Sequence, residues 1–127
     1  MSGGNKKLLC VDDAPKVLKS LGKILSKYFD VETARNGPEA LEVFGQAGPF
    51  PVVLVDYSMP GMNGVELVRE LRKLYPRTQA ILLTSHSDPD IVLTAMNEDG
   101  IFKYLMKPAA IQKLIEVIQE AFETVGE

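Results

Sequence analysis

The sequence has little of what builds covalently or metal-stapled scaffolds. Its 127 residues hold one cysteine and one histidine. Cys10 alone excludes an internal disulfide framework and a cysteine-based zinc site. No Ser-His-Asp or Cys-His arrangement is available for nucleophilic catalysis. The longest apolar runs, such as Val52 to Val55 and Ile81 to Leu83, are far too short to cross a bilayer. The opening Met1-Ser2-Gly3-Gly4-Asn5-Lys6-Lys7 lacks the apolar stretch of a secretory signal. With neither signal nor disulfide, a cytoplasmic location and no membrane contact are expected. An excess of positive charge is also missing. The net charge is −3, whereas a domain that lives by nucleic-acid binding is usually basic, so no nucleic-acid contact is expected. Repeats and low-complexity segments are absent. What remains is ordinary: 46% hydrophobic and 24% charged residues, as in a soluble globular domain of this length.

The chain shows a five-fold alternation. Short apolar runs alternate with longer segments of helical period. The runs are 7–11, 30–34, 52–55, 80–83 and 101–105. The first, third and fourth are continuously apolar, as in strands covered on both faces. The second and fifth are mixed, which suits positions nearer a sheet edge. Among the long segments, Val17, Leu18, Leu21, Ile24, Leu25 and Tyr28 share one helical face, with Lys16, Lys19, Lys23 and Lys27 opposite. Ile111, Leu114, Ile115, Ile118, Phe122 and Val125 form another strong case, and Ile91, Val92, Ala95 and Met96 a weak one. Asn36 with Glu39 and Asn63 with Glu66 have N-cap spacing, and Ser87 precedes Pro89. The alternation implies an α/β fold, a (βα)5 doubly wound parallel sheet. In such folds the working crevice lies at the carboxyl ends of the strands.

The strand ends carry the chemistry. The first run ends in Asp12-Asp13, the third in Asp56, the fourth in Thr84-Ser85 and the fifth in Lys107-Pro108. With strand order 2-1-3-4-5, these four ends are contiguous. The second run, outside that group, ends in the bland Ala34-Arg35. Three clustered carboxylates need a counter-charge. Lys107 supplies one, and a hard divalent cation supplies more. Magnesium prefers carboxylate oxygen and often bridges it to phosphate. The constellation therefore reads as a magnesium–phosphoryl site with a carboxylate nucleophile, since aspartyl phosphate is a known covalent species.

The motifs Leu9-Cys10-Val11-Asp12-Asp13, Val53-Leu54-Val55-Asp56-Tyr57-Ser58-Met59-Pro60-Gly61-Met62-Asn63-Gly64, Leu82-Leu83-Thr84-Ser85 and Tyr104-Leu105-Met106-Lys107-Pro108 resemble the receiver domain of bacterial two-component response regulators, chemotaxis receivers among them. The resemblance runs from about Lys7 to about Phe122. It implies a flavodoxin-like fold and a single receiver domain over 1–127, with no output domain in this chain. It implies that Asp56 is the phosphoacceptor, fed by a histidine kinase or a histidine phosphotransfer protein. Asp13, Asp56 and the Ser58 carbonyl then ligate Mg2+ directly, and Asp12 acts through a bound water. Lys107 pairs with the phosphoryl group, and the Lys107-Pro108 peptide is cis. Thr84 and Tyr104 are the switch residues. They shift the population of the fourth helix, fifth strand and fifth helix, a face through which homodimers can form. Such a domain is not an enzyme beyond self-catalysed phosphorylation and dephosphorylation.

Plainer readings exist for single residues. Asp12-Asp13 alone reads as a pair of loop acids capping a helix, Tyr104 as a half-buried core aromatic, Cys10 as core, and the lysine stripe as a solvated face. Kinase and phosphotransfer partners of this family do contact the first helix. Ser58 and His86 border the mouth of the pocket, and they are expected to tune the lifetime of the aspartyl phosphate. A haloacid-dehalogenase-like phosphohydrolase wants an acid where Ser58 stands. A flavin carrier wants a hydroxyl-rich loop in place of Asp12-Asp13. A pseudo-receiver does not require Asp56, Thr84 and Lys107. Only 123–127 follow the fifth helical pattern, so the output is expected in a partner or in a longer chain. The stretch 95–108 resembles receivers often joined to HD-type cyclic-dinucleotide phosphodiesterase domains.

Overall fold

The computed structural model describes residues 6–85 and 89–126, without the side chain of Met96. His86 and Ser87 lie outside the described residues. Five strands alternate with five helices: β1 (Lys7–Val11), α1 (Pro15–Leu25), β2 (Asp30–Ala34), α2 (Gly37–Ala47), β3 (Val52–Asp56), α3 (Gly64–Leu74), β4 (Gln79–Thr84), α4 (Pro89–Asn97), β5 (Ile101–Met106) and α5 (Ile111–Gly126). The strands form one parallel sheet in the order β2-β1-β3-β4-β5. The apolar strands β1, β3 and β4 are central, and the mixed strands β2 and β5 are the edges.

Alternation along the central strands divides the core into two layers. Leu9, Val11, Val53, Val55, Ala80 and Leu82 face one way and pack with Ala40 and Phe44 of α2, Leu67, Val68 and Leu71 of α3, and Ala95 of α4. Leu8, Cys10, Val52, Leu54, Ile81 and Leu83 face the other way, toward Leu18 and Leu25 of α1 and Leu114, Ile115 and Ile118 of α5. Helices therefore cover both faces, as a doubly wound sheet requires.

Helix starts follow local chemistry. Asn63 accepts the Glu66 N–H while the Glu66 carboxylate accepts the Asn63 N–H, a reciprocal box that fixes the start of α3. Asn36 caps α2 by accepting the Glu39 N–H, but Glu39 turns to Arg35 instead of closing the box. The apolar face expected of α1 is only half realised. Leu18 and Leu25 are buried, whereas Val17, Ile24 and Tyr28 are exposed, and Tyr28 lies beyond the helix end. The apolar arc of that sequence is wider than the strip the sheet can cover. Lys16, Lys19, Lys23 and Lys27 are exposed as expected. Among the described residues, no helix is long and apolar enough to cross a membrane.

Candidate functional site

Hydrogen bonds between neighbouring strand ends set the frame of the site. The Tyr57 N–H donates to the Leu83 carbonyl at 2.8 Å, and the Lys107 N–H donates to the Thr84 carbonyl at 2.8 Å. The C-terminal edges of β3, β4 and β5 are thereby locked side by side. Asp56 pairs in register with Leu83, and Thr84 with Met106. The peptide between Lys107 and Pro108 is cis, and Lys107 returns over the sheet end.

Lys107 Nζ lies 3.1 Å from Asp12 Oδ2 and 3.2 Å from Asp56 Oδ1. Carboxylate oxygens of Asp12, Asp13 and Asp56 lie within 4.8 Å of one another. Asp12 and Asp56 are buried and Asp13 is exposed. Asp12 also accepts the Ala14 N–H at 2.9 Å, so it closes the turn into α1 while its other oxygen faces Lys107. The helix cap read for the acid pair is not formed: α1 has Ala14 as its N-cap with no side-chain cap bond, and Asp12 holds only the turn before it. Thr84 is buried at the end of β4. Ser58 is exposed in the loop after Asp56. Tyr104 is half-buried against the α2–α3 side of the core.

Burial pushes the Asp56 carboxyl above the usual range, and the negative charge of Asp12 adds to this. The Lys107 ammonium and a hydrogen bond from the Ser58 backbone oppose it. Burial pulls the Lys107 ammonium down, but the hydrogen bond to Asp12 and the charges of Asp56 and Asp12 more than reverse this, and its pKa is raised. Cys10 sits one strand residue from this cluster. Burial, reinforced by the charge of Asp12, pushes its thiol up to about 12, so it is an inert core residue.

The donor set suits a hard cation. Carboxylates from two adjacent strands converge, one of them solvent-facing, and a single ammonium leaves the cluster net negative. The geometry also shows features that spacing did not reveal. Gly64 opens α3 so close to the site that a Cβ there would lie 2.8 Å from the Asp56 carbonyl and 2.8 Å from Leu82 Cδ1. Beside Lys107, Val17 and Leu21 of α1 face Pro108, Ala109 and Leu114 across an apolar groove of about 450 Å3. The exposed Val17 belongs to this groove, which explains its absence from the core.

The family model of the response regulator receiver domain matches residues 8–119. The hydrogenase transcriptional regulatory protein HoxA of Cupriavidus necator is 32% identical over 126 residues, covering 99% of this chain and 26% of that protein. The transcriptional regulatory protein GlrR of Escherichia coli is 38% identical over 118 residues, covering 91% of this chain and 26% of that protein. The chain thus spans about a quarter of the length of these curated relatives. A solved signal receiver domain of an HD domain-containing protein from Pseudomonas fluorescens Pf-5 has a TM-score of 0.88 at 29% identity, covering 96% of this chain and 98% of that one.

Proposed function

The chain belongs to the response regulator receiver domain family, and from that premise we propose that it accepts a phosphoryl group on Asp56 and relays a two-component signal. The observation that carries this is the placement of Lys107 between Asp12 and Asp56 at 3.1 and 3.2 Å. It puts a cation where charge accumulates on a phosphoryl group in transfer.

In the step, an Asp56 carboxylate oxygen attacks the phosphorus of a phosphohistidine. A P–O bond forms, the P–N bond breaks, and the leaving imidazole nitrogen takes a proton from solvent water. Asp13, Asp56 and the Ser58 carbonyl would hold Mg2+ directly, with Asp12 acting through a water. The metal would supply charge neutralisation at the phosphoryl oxygens. Lys107 exchanges its bond to Asp56 for one to the phosphoryl group and stays anchored by Asp12. Thr84, at the end of the adjacent strand, donates its hydroxyl to a phosphoryl oxygen. Tyr104, two strand positions before Met106, follows that shift. The added charge of about −1.5 to −2 supplies the driving force.

A protein donor must bring its phosphohistidine to this mouth. The groove between α1 and the segment 107–114 reaches Lys107 and carries the exposed Val17. It is the surface proposed for a histidine kinase or histidine phosphotransfer protein. The chain itself is a cytoplasmic signalling domain over 1–127 without further enzymatic activity. The relatives' names attach the family to different outputs, transcriptional regulators in two and an HD domain-containing protein in the third. The shared function is phosphoryl acceptance, read by a partner or a second copy at α4, β5 and α5, where Leu93, Met106 and Ile111 are exposed.

Incubation with acetyl phosphate and MgCl2, followed by intact-mass measurement, tests the reading. A gain of one phosphoryl group that disappears in Asp56→Asn is expected. No gain, or a gain that survives in Asp56→Asn, overturns it.

A further inference from the structure

The helices α3 and α4 differ in how firmly they are held. α3 buries Gly64, Val65, Leu67, Val68 and Leu71. Among the described side chains of α4, only Ala95 is buried. A helix with so little burial belongs to the low-stability end of a structure. Its C-terminal end is nonetheless tied to α3. Arg69 Nε donates to Glu98 Oε1 at 2.9 Å, and Arg69 Nη2 reaches the same oxygen at 2.8 Å. One turn further along α3, the Arg72 side chain passes against Gly100, where a Cβ would collide with Arg72 Cδ. Gly100 has φ +92°, and its carbonyl accepts the Ala80 N–H at 2.7 Å.

The other end of α3 is fixed to the phosphoacceptor. Gly64 packs on the Asp56 carbonyl, and its N–H donates to the Tyr57 carbonyl at 2.9 Å. A continuous set of contacts thus runs from Asp56 through α3 to the corner at 98–100. On either side of the Arg69–Glu98 pair the groove is open. One cleft of about 530 Å3 is lined by Leu93, Thr94 and Asn97, and another of about 440 Å3 by Met62 and Glu66. Ala95 anchors α4 in the core, and the Arg69–Glu98 pair adds a polar tie just beyond its C-terminal end.

We propose that the Arg69–Glu98 pair restrains α4 in the position it holds before phosphoryl acceptance and so sets how readily the domain switches. This rests on the receiver reading above. The arrangement with a direct Lys107–Asp56 ion pair is the one that precedes acceptance, because the phosphoryl group takes over that bond. An interaction made in one of two states biases the equilibrium toward that state by its own strength. A partly exposed pair adds little to global stability, yet the same small energy is several-fold in a population.

The test uses acetyl phosphate and MgCl2 as probe, with intact mass giving initial rates for wild type, Arg69→Gln, Glu98→Gln, the double variant, and the charge swap Arg69→Glu with Glu98→Arg. Each single variant is expected to phosphorylate about three- to fivefold faster. The double variant should be no faster than either single, and the swap should return toward wild type. Amide exchange across 90–97 should quicken in folded Glu98→Gln, which guards against a variant that fails to fold. Unchanged or slower rates, multiplicative effects in the double, or unaltered exchange overturn the restraint. A wild-type protein that gains no mass overturns the receiver reading itself, a distinct result, and the restraint falls with it.

Discussion

Lys107 Nζ lies 3.2 Å from Asp56 Oδ1, close enough to neutralise one carboxylate, while the same ammonium also serves Asp12. One cation is shared between two buried acids. The cluster is therefore under electrostatic load, and Asp56, whose carboxyl is raised by burial and by Asp12, carries much of it. A carboxyl raised on folding is easier to keep protonated in the folded state. Its ionisation at neutral pH costs stability, and stability is regained as pH falls through its folded value toward the unfolded one. Asp56→Asn removes that cost and leaves Lys107 paired with Asp12. We expect it to melt about 3–6 °C above wild type at pH 7. The gap should narrow on acidification toward pH 4, and thermal melts at both pH values check this.

Removing Lys107 should have the opposite sign. Lys107→Met leaves Asp12 and Asp56 facing each other without a counter-charge. Because the lysine is partly exposed, water screens some of the repulsion, and a loss of about 1–2 kcal/mol is expected at neutral pH. The raised Lys107 group contributes fully below the ordinary lysine value and is lost as pH rises through its folded value. Urea unfolding should show a constant gap between wild type and variant from pH 7 to 9. The gap should shrink above the ordinary lysine pKa.

A cation bound only by the folded cluster must raise the melting temperature by mass action. At about tenfold excess over its dissociation constant, MgCl2 should stabilise wild type by about 1.4 kcal/mol. Asp13→Asn should abolish most of that response while leaving the metal-free melting point nearly unchanged, because Asp13 is exposed and its removal opens no cavity. An equal magnesium response in wild type and variant would remove Asp13 from the proposed ligand set.

Much of this was legible along the chain, and the reasons are local. β2 and β5 could be placed as edges because Asp30, Glu32 and Lys103 break their apolar runs. Asn63 and Glu66 announced the start of α3, since a capping box needs only residues three apart. The burial difference between Asp12 and Asp13 was not legible in composition, because it comes from the turn that Asp12 closes with Ala14. Val17 and Ile24 share the apolar face of α1 yet are exposed, because periodicity reports a face without reporting how much of it is covered. The Arg69–Glu98 pair joins positions 29 apart in sequence, and Gly64 meets Asp56 only because α3 starts on top of β3. Neither relation leaves a trace in spacing alone.

The Gly64 contact has a measurable consequence. An added methyl would lie 2.8 Å from the Asp56 carbonyl and 3.0 Å from Tyr57 Cα. Both neighbours are backbone, so relief requires the β3–α3 loop to move away from the sheet end. Gly64→Ala is expected to cost about 1–3 kcal/mol. It should also slow phosphorylation by acetyl phosphate, since the loop carries Ser58. Gly45→Ala is the control. It lies in α2 with open space around it, and alanine favours a helix by about 1 kcal/mol over glycine. Chemical denaturation of the two variants should therefore shift in opposite directions.

Ser58 stands exposed two residues after Asp56, and its backbone hydrogen-bonds to the Asp56 carboxylate. Under the proposed function, a water that hydrolyses an acyl phosphate on Asp56 would pass the exposed Ser58 side chain. A hydroxyl there can hydrogen-bond such a water, while a methyl cannot. Ser58→Ala keeps the backbone contact and removes only that capacity, so it isolates the side chain. We expect its aspartyl phosphate to be lost about two- to fivefold more slowly, at the low end of general acid–base effects because water can replace the hydroxyl in part. Phosphorylated protein freed of donor by rapid desalting, then followed by intact mass, gives the rate directly. His86→Ala in the same assay tests the second residue expected at this mouth, and equal rates for all three proteins would remove both side chains from control of the phosphoryl lifetime.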